Sequence, residues 1–429
     1  MGPVNLEMTI QISFESQRGA WPTLNAHLPA RIDEASFVDV IRYGWVVDAE
    51  GTLLSGVKKK IRYDGTRGPR TNLAEALSSA IGRSVEKSHG VGCMISGGVD
   101  STIVLAALAG VTDKTIHAFT VAFGESDDET ARAKLAADAF GATHHIVWFK
   151  IPEVLEKART WARLSPSGRL VYLPVLEEAA RLGIDTLFSG EGGDEAFAGY
   201  AQRYLRMLKY YRYRPTRRLA GLASFLPGRW GRVAGILRHT ASFEDFYAAW
   251  QTRVPDMRGG HGIPADDGAE DWIARILRLE RQLKLVDYLA HIHCCSVAYG
   301  VNVEYPLLEP SVESFSSPRE WTRMWDGHTL HGKYPLVEAL KTMAPPEIVR
   351  NATMPKHGFS PPSMDKWWSM GLCELHKETL KGPLRDMLPR SMVELGDKPS
   401  AGKRSLYAAA LDAWCVDRFI QGSPGERSG

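Results

Sequence analysis

The stretch "VGCMISGGVDSTIVLAAL", Val91 to Leu108, decides the fold. An apolar run arrives, Ser-Gly-Gly follows, then an acid and a hydroxyl, and an apolar-periodic segment leaves. This is the pattern of a buried strand, a tight turn and a helix start. Glycines at such a junction let the backbone approach a ligand closely. The N–H groups of the first helical turn have no intrahelical partner and form an anion site. Ser96, Gly97, Gly98 and Ser101 therefore suit a phosphate. Asp100 sits in the same turn, where a carboxylate repels phosphate. A divalent cation between them turns repulsion into attraction, and oxygen ligands suit magnesium. The turn is not a Walker A loop, since no Gly-Lys-Ser/Thr follows. "GHTLHGKY" (327–334) comes nearest to one but ends in Tyr and lacks a preceding apolar strand.

Outward from this junction the pattern repeats. "TNLAEALSSAIGRSV" is helical, with Thr71 as the expected cap; "TIHAFTVAF" is a second strand and "DDETARAKLAADAFG" a helix. "HHIVWF" is a third strand, "LVYLPVLEEAARLG" a helix and "IDTLFSG" a fourth strand. Strands alternating with helices predict a parallel sheet wound on both faces. Before residue 71, "EMTIQISF" alternates as a strand, and "FVDVIRYGWVVDAEGTLLSGV" reads as a helix and a turn near Asp48 to Gly51. After about residue 200 strand signals fade. "DWIARILRLERQLKLVDYLAHIH" and "SLYAAALDAWCVDRFI" are helical, and the tail "QGSPGERSG" reads as disordered. The expected organisation is a short segment at 1–70, an α/β core at 71–205, a mainly helical lobe at 206–420 and a tail at 421–429.

Bulk properties narrow the function classes. A chain of 429 residues exceeds one ordinary compact unit, so two lobes or one large α/β body are expected. The net charge of +2 favours no anionic polymer as partner. Five scattered cysteines show no zinc spacing and no disulfide framework, which points to reduced thiols and a cytoplasmic location. Neither a signal peptide nor a membrane-spanning run is evident.

A second glycine-rich stretch raises the specificity. "FSGEGGDEAFAGY", Phe188 to Tyr200, again ends an apolar strand with Ser-Gly and adds Glu191, Asp194 and Glu195. In a parallel sheet both turns open at the same carboxyl edge, where such folds bind ligands. Two acid-bearing turns there suit one magnesium–triphosphate.

"SGGVDS" joined to "SGEGGDEAFAGY" resembles the ATP-pyrophosphatase domain of the class B asparagine synthetases and of their β-lactam synthetase and lasso-peptide cyclase relatives. The likeness runs from about Phe37 to Ile420 and takes in "YPLLE", "GKYPLVEAL" and "MPKHGF". It implies an adenine nucleotide α-hydrolase-like (PP-loop) fold, that is, an α/β doubly wound parallel sheet with a helical C-terminal lobe. It also implies ATP as co-substrate and Mg2+ as cofactor. By the resemblance, Asp100 and Asp194 hold magnesium, and the loop Ser96 to Ser101, with Gly97, Gly98 and Val99, grips pyrophosphate. Ile95, Val121, Ser189 and Gly190 border the nucleotide. Glu191 lies near the acyl-adenylate and the amine, Lys356 stabilises charge in both half-reactions, and Lys333 touches pyrophosphate.

Three departures from the family pattern stand out. The chain starts Met1-Gly2-Pro3, without the catalytic cysteine that opens a glutaminase domain, so no such domain is expected. "HIHCCSVAYGVNVEYPLLE" places Asn302 and Glu304 where the family has an acid and an arginine, and Glu309 at the final acid, which puts aspartate in doubt as substrate. The His-Cys-Cys run suggests a metal only weakly, because adjacent cysteines on a helix face different ways. Between Glu195 and Glu244 no acid occurs, and arginines alternate with Tyr and Trp over 203–238. A basic helical surface accounts for this better than nucleic acid does.

The expected activity is an AMP-forming amide ligase of specialised metabolism that adenylates a carboxylate and passes it to an amine or ammonia. A separate glutaminase or a peptide carrier is the partner such an enzyme would use. The competing expectations are ammonia-dependent asparagine synthesis, a tRNA-modifying enzyme of the same loop class, and a catalytically dead scaffold.

Overall fold

Five short strands pair in parallel to make the central sheet. The computed structural model describes residues 10–16, 19–20, 32–55, 57–63, 72–123, 128–162, 167–213, 229–238, 240–265, 272–316, 332–354, 362–400 and 402–421. Strands β1 (Ile10–Ser16), β2 (Gly19–Ala20) and β3 (Val57–Tyr63) form a small antiparallel sheet in the order β2-β1-β3. The central sheet comprises β4 (Val91–Met94), β5 (Ile116–Ala122), β6 (Thr143–Trp148), β7 (Thr186–Phe188) and β8 (Asn302–Glu304). Its order is β6-β5-β4-β7-β8, with every neighbouring pair parallel.

Helices α1 (Glu34–Tyr43), α2 (Leu73–Lys87), α3 (Val99–Val111), α4 (Asp128–Ala139), α5 (Ile151–Trp161) and α6 (Leu173–Arg181) flank the sheet. Helix α3 is apolar on nearly all sides, as a helix buried all round must be; Ser101 to Leu108 are all buried. Helix α2 is capped by Asn72, whose side chain accepts from the Glu75 N–H at 2.9 Å. The cap is therefore Asn72 in place of the expected Thr71, because the chain turns helical one residue later.

The second half is mainly helical, as expected. It contains α7 (Gly193–Ala196), α8 (Ala201–Tyr211), α9 (Phe243–Gln251), α10 (Trp272–Leu279), α11 (Val286–Tyr299), α12 (Tyr334–Met343) and α13 (Arg404–Gln421). A π-helical segment, Glu280–Leu285, joins α10 to α11. A second apolar cluster, with Trp45, Tyr204, Phe246, Tyr247 and Ile276, centres on these helices. At its edge the fully buried Glu280 accepts from Gln251 (2.7 Å), Arg203 (3.0 Å), Tyr247 (3.1 Å) and Lys284 (3.2 Å). Burial alone would raise the Glu280 carboxyl, but Lys284 and Arg203 hold it below its ordinary value. Arg203, at the head of the basic stretch, is thus tied internally; residues 214–228 lie outside the described residues, as does the tail from 422.

One element departs from expectation. Strand signals fade after residue 200, yet β8 pairs with β7 and completes the sheet. Its sequence Asn-Val-Glu does not look like a buried strand. Asn302 donates to Glu304 Oε1 at 2.7 Å, so the two buried polar side chains are linked inside the protein.

A buried ion pair ties the small sheet to the lobe. Lys59 Nζ lies 3.1 Å from Asp287 Oδ1, with side-chain exposures of 2% and 5%. Burial pushes the Asp287 carboxyl up, but Lys59 and His291 outweigh it and hold the group below its usual range. Removing one partner of such a pair leaves an uncompensated buried charge. Lys59→Met should cost about 3 kcal/mol in urea unfolding, and Lys59→Met with Asp287→Leu should recover most of it.

Candidate active site

Strand order reverses between β4 and β7: the chain runs outward from β4 through β5 to β6, and from β7 to β8 on the other side. In open α/β sheets the crevice at such a reversal, beyond the carboxyl ends of the strands, is the ligand site. Both glycine-rich turns open there. Gly97 has φ 67°, and a Cβ on it would lie 2.5 Å from Arg132 Cβ. Gly98 caps α3 without a side-chain hydrogen bond, and the first turn of such a helix is a favourable place for an anion.

The second turn explains its own glycines. A Cβ on Gly190 would stand 2.8 Å from the Ser101 backbone N, and one on Gly193 would stand 2.6 Å from Asp100 Oδ1. The two loops touch because neither position has a side chain. Asp100 and Asp194 thereby converge on one cation, the Lys333 ammonium. Lys333 Nζ pairs with Asp100 Oδ2 and lies 2.6 Å from Asp194 Oδ1. Burial alone would lower the lysine, but the Asp100 and Asp194 charges overcome it and raise it above its ordinary value. The Tyr200 phenol also bonds Asp194; burial first, then the charges of Asp194 and Glu195, push it well up.

Behind this cluster lies Glu191. It accepts from the Tyr172 hydroxyl, and Tyr288 Oη stands 3.5 Å from Oε1. Burial raises the Glu191 carboxyl, the Tyr172 bond lowers it, and Asp194 and Asp100 raise it again. The Arg169 guanidinium lies 4.6 Å from the Tyr288 ring centre and donates to Gly44 O at 3.0 Å. A pocket of about 300 Å³, counting space open to solvent, adjoins this group, lined by Trp161, Arg169, Leu170, Tyr172, His291 and Cys295 among others. Tyr172, Tyr288 and Arg169 carried no functional signal in the sequence: each sits in a segment that reads only as helix or loop.

The other expected residues are also placed. Ile95 is buried, its N–H donates to Phe119 O (2.8 Å), and its carbonyl accepts from Thr120 Oγ1 (2.8 Å). Val121 lies at the carboxyl end of β5. The Ser189 N–H donates to Glu304 O at 2.9 Å, and its hydroxyl accepts from the Glu191 N–H at 3.2 Å. Lys356 lies outside the described residues. Glu309 pairs with Arg83 at 2.6 Å and accepts from the Ser311 N–H at 2.9 Å, capping a short helix. Burial lowers His293 to about 4 and lifts Cys294 to about 12.

Four acids crowd the crevice. Glu195 is pushed up to about 8 by burial and by the neighbouring Asp194 and Glu191. Among the described residues no three His, Cys, Asp or Glu side chains form a protein-only metal cage. Two carboxylates within reach of one cation, beside the N-terminal turn of α3, fit magnesium, which binds through one or two carboxylates plus substrate phosphates.

The close approach of the loops is itself testable. Gly190→Ala should leave the far-UV circular dichroism spectrum unchanged. By pushing the Asp100 turn away, it should lower kcat/KM on the order of 100-fold.

Comparison with known proteins agrees with this architecture. The family model described as asparagine synthase matches residues 72–415. A putative asparagine synthetase [glutamine-hydrolyzing] 2 of Methanocaldococcus jannaschii is 35% identical over 149 residues, 33% of this chain and 27% of the relative. A putative asparagine synthetase [glutamine-hydrolyzing] of Mycobacterium tuberculosis is 25% identical over 373 residues, 78% of this chain and 53% of the relative. The asparagine synthetase [glutamine-hydrolyzing] of Cricetulus griseus is 28% identical over 145 residues, 30% of this chain and 26% of the relative. The chain thus spans about half, or less, of the length of these relatives. The matched family region takes in both glycine-rich turns and Lys333, and the parallel sheet is that of a PP-loop α/β fold: the chain belongs to the asparagine synthase family.

Proposed function

We propose that the protein is an ATP-dependent amide-forming ligase. It adenylates a carboxylate, releases pyrophosphate, and passes the acyl group to an amine or ammonia to give an amide and AMP. The observation that carries this reading is the meeting of Asp100 and Asp194 under one ammonium at the strand-order reversal. The turn Ser96–Ser101 and the start of α3 receive the phosphates, and Ile95, Val121, Ser189 and Gly190 border the adenosine. Magnesium bound by Asp100 and Asp194 would offset the charge that builds on the phosphate oxygens. Lys333 and Lys356 add fixed positive charge for the same purpose, the main resource in phosphoryl chemistry.

Glu191 takes the proton from the attacking amine. Its carboxyl is raised by burial, as a base working near neutral pH requires. Tyr172 orients it. The hydrogen-bonded Asn302 and Glu304, in place of an acid and an arginine, support an acyl donor other than aspartate. A reaction in specialised metabolism, fed by ammonia, by a separate glutaminase or by a carrier-bound peptide, follows from that reading. Among the described residues no helix is long and apolar enough to cross a membrane. The five cysteines are free, which suits a cytoplasmic setting.

Pyrophosphate exchange into ATP, screened across carboxylic acids, tests the proposal and identifies the donor. One acid should support exchange, and Asp194→Ala should abolish it; persistence of exchange in that variant would refute the ligase reading. The two half-reactions should also separate. Glu191→Gln should retain exchange but lose amide formation. In the native enzyme, amide formation should rise with pH through a pKa above the ordinary glutamate value. Tyr172→Phe removes the hydrogen bond that lowers Glu191, so this limb should move to higher pH.

A further inference from the structure

We propose that Lys333 is a positioning residue that acts before substrate arrives: its ammonium takes the cation position between Asp100 and Asp194. It gives that position up to magnesium only when the metal comes with the triphosphate. The inference rests on the ligase reading for the identity of the metal, but not for the geometry. Two carboxylates from separate loops are held together by the contacts at Gly190 and Gly193, with side-chain exposures of 18% and 27%. At this separation like charges repel strongly, and partial burial weakens solvent screening. Lys333, itself 15% exposed, pairs with both at once and removes the repulsion.

The backbone around the lysine is built for this placement. Lys333 caps the start of α12 with φ 68°, and its N–H donates to Phe197 O at 2.8 Å. Ala198, beside that carbonyl, has φ 62°. Ala198 and Lys333 are the two non-glycine residues with left-handed backbone among the described residues, and each adjoins a glycine that packs on the other's segment. Gly332 packs onto Ala198 O, and Gly199 packs onto Asp194 and the Lys333 stem, so side chains at either glycine would block the approach. Backbone strain of this kind persists where surrounding structure over-determines it, and it clusters at functional sites.

A metal held by Asp100 and Asp194 would compete with the ammonium for the same carboxylates. Metal alone must therefore break two ion pairs and leave the lysine without a counter-charge. Metal arriving with a triphosphate supplies new anionic partners for the displaced lysine. Binding of metal and nucleotide is thus coupled through Lys333, and the two aspartates remain in register between turnovers.

Mn2+ serves as the probe, with the free ion counted by electron paramagnetic resonance on the full chain without nucleotide. Lys333→Met should bind one Mn2+ at least tenfold more tightly than the native protein, and adding Asp194→Asn should abolish that gain. In EDTA the Lys333→Met protein should melt below the native protein, and Mn2+ should restore it while leaving the native melting temperature unmoved. Equal or weaker Mn2+ binding by Lys333→Met, or a gain that survives Asp194→Asn, would overturn the proposal. Should Lys333→Met not fold, the native protein decides: Mn2+ must bind tightly with a non-hydrolysable ATP analogue and weakly without it, and equal affinity in the two cases overturns the inference. None of these readouts depends on pyrophosphate exchange, so failure here is distinct from failure of the ligase reading.

Discussion

Two carboxylates facing one cation at the reversal of strand order are the constraint to which the rest of this structure answers. Asp100 and Asp194 repel unless a positive charge lies between them, and the Lys333 ammonium supplies it. Bringing them so close requires the backbones of two turns to touch. The absence of side chains at Gly190 and Gly193 makes that contact sterically allowed. The parallel sheet places both turns at one edge, since β4 and β7 are neighbours whose chains depart to opposite sides.

The helical lobe serves the same end from outside the sheet. Helix α12, capped by Lys333, packs on α2 and α3, so the lysine is delivered by a helix that covers α3. Tyr200, which bonds Asp194, lies under the Arg203 guanidinium at 5.7 Å, and Arg203 is fixed by the buried Glu280. The π-helical segment that starts at Glu280 runs into α11, which carries Asp287 and Tyr288. One continuous helical element therefore anchors the support of Asp194 and sets a wall beside Glu191. Buried ionic groups are costly unless every partner is present. Here Glu280 has four and Asp287 pairs with Lys59 and His291, and these contacts tie the lobe to the small sheet.

Much of the sheet and the heart of the site were legible in the chain. Four of the five central strands, the helix after the first turn, and Asp100, Glu191 and Asp194 all follow from local pattern. The reason is that a glycine turn, a buried apolar strand and a helix start each impose residue types on a few consecutive positions. Strand β8 escaped because two of its three buried side chains, Asn302 and Glu304, are polar and give no apolar pattern. Tyr172, Tyr288 and Arg169 escaped because their contacts join different elements, from 19 residues apart for Tyr172 and Glu191 to 125 for Arg169 and Gly44, and no short-range rule marks them.

By itself the sequence determined the strand–turn–helix unit, its repetition, and the carboxylates it carries, since these depend on steric and hydrogen-bonding demands within a few residues. Only the tertiary structure decided that Lys333 bridges the two aspartates, that Tyr172 holds Glu191, and that a strand from residue 302 closes the sheet. Those are electrostatic and packing choices among distant groups. They are fixed by which surfaces the sheet order brings together.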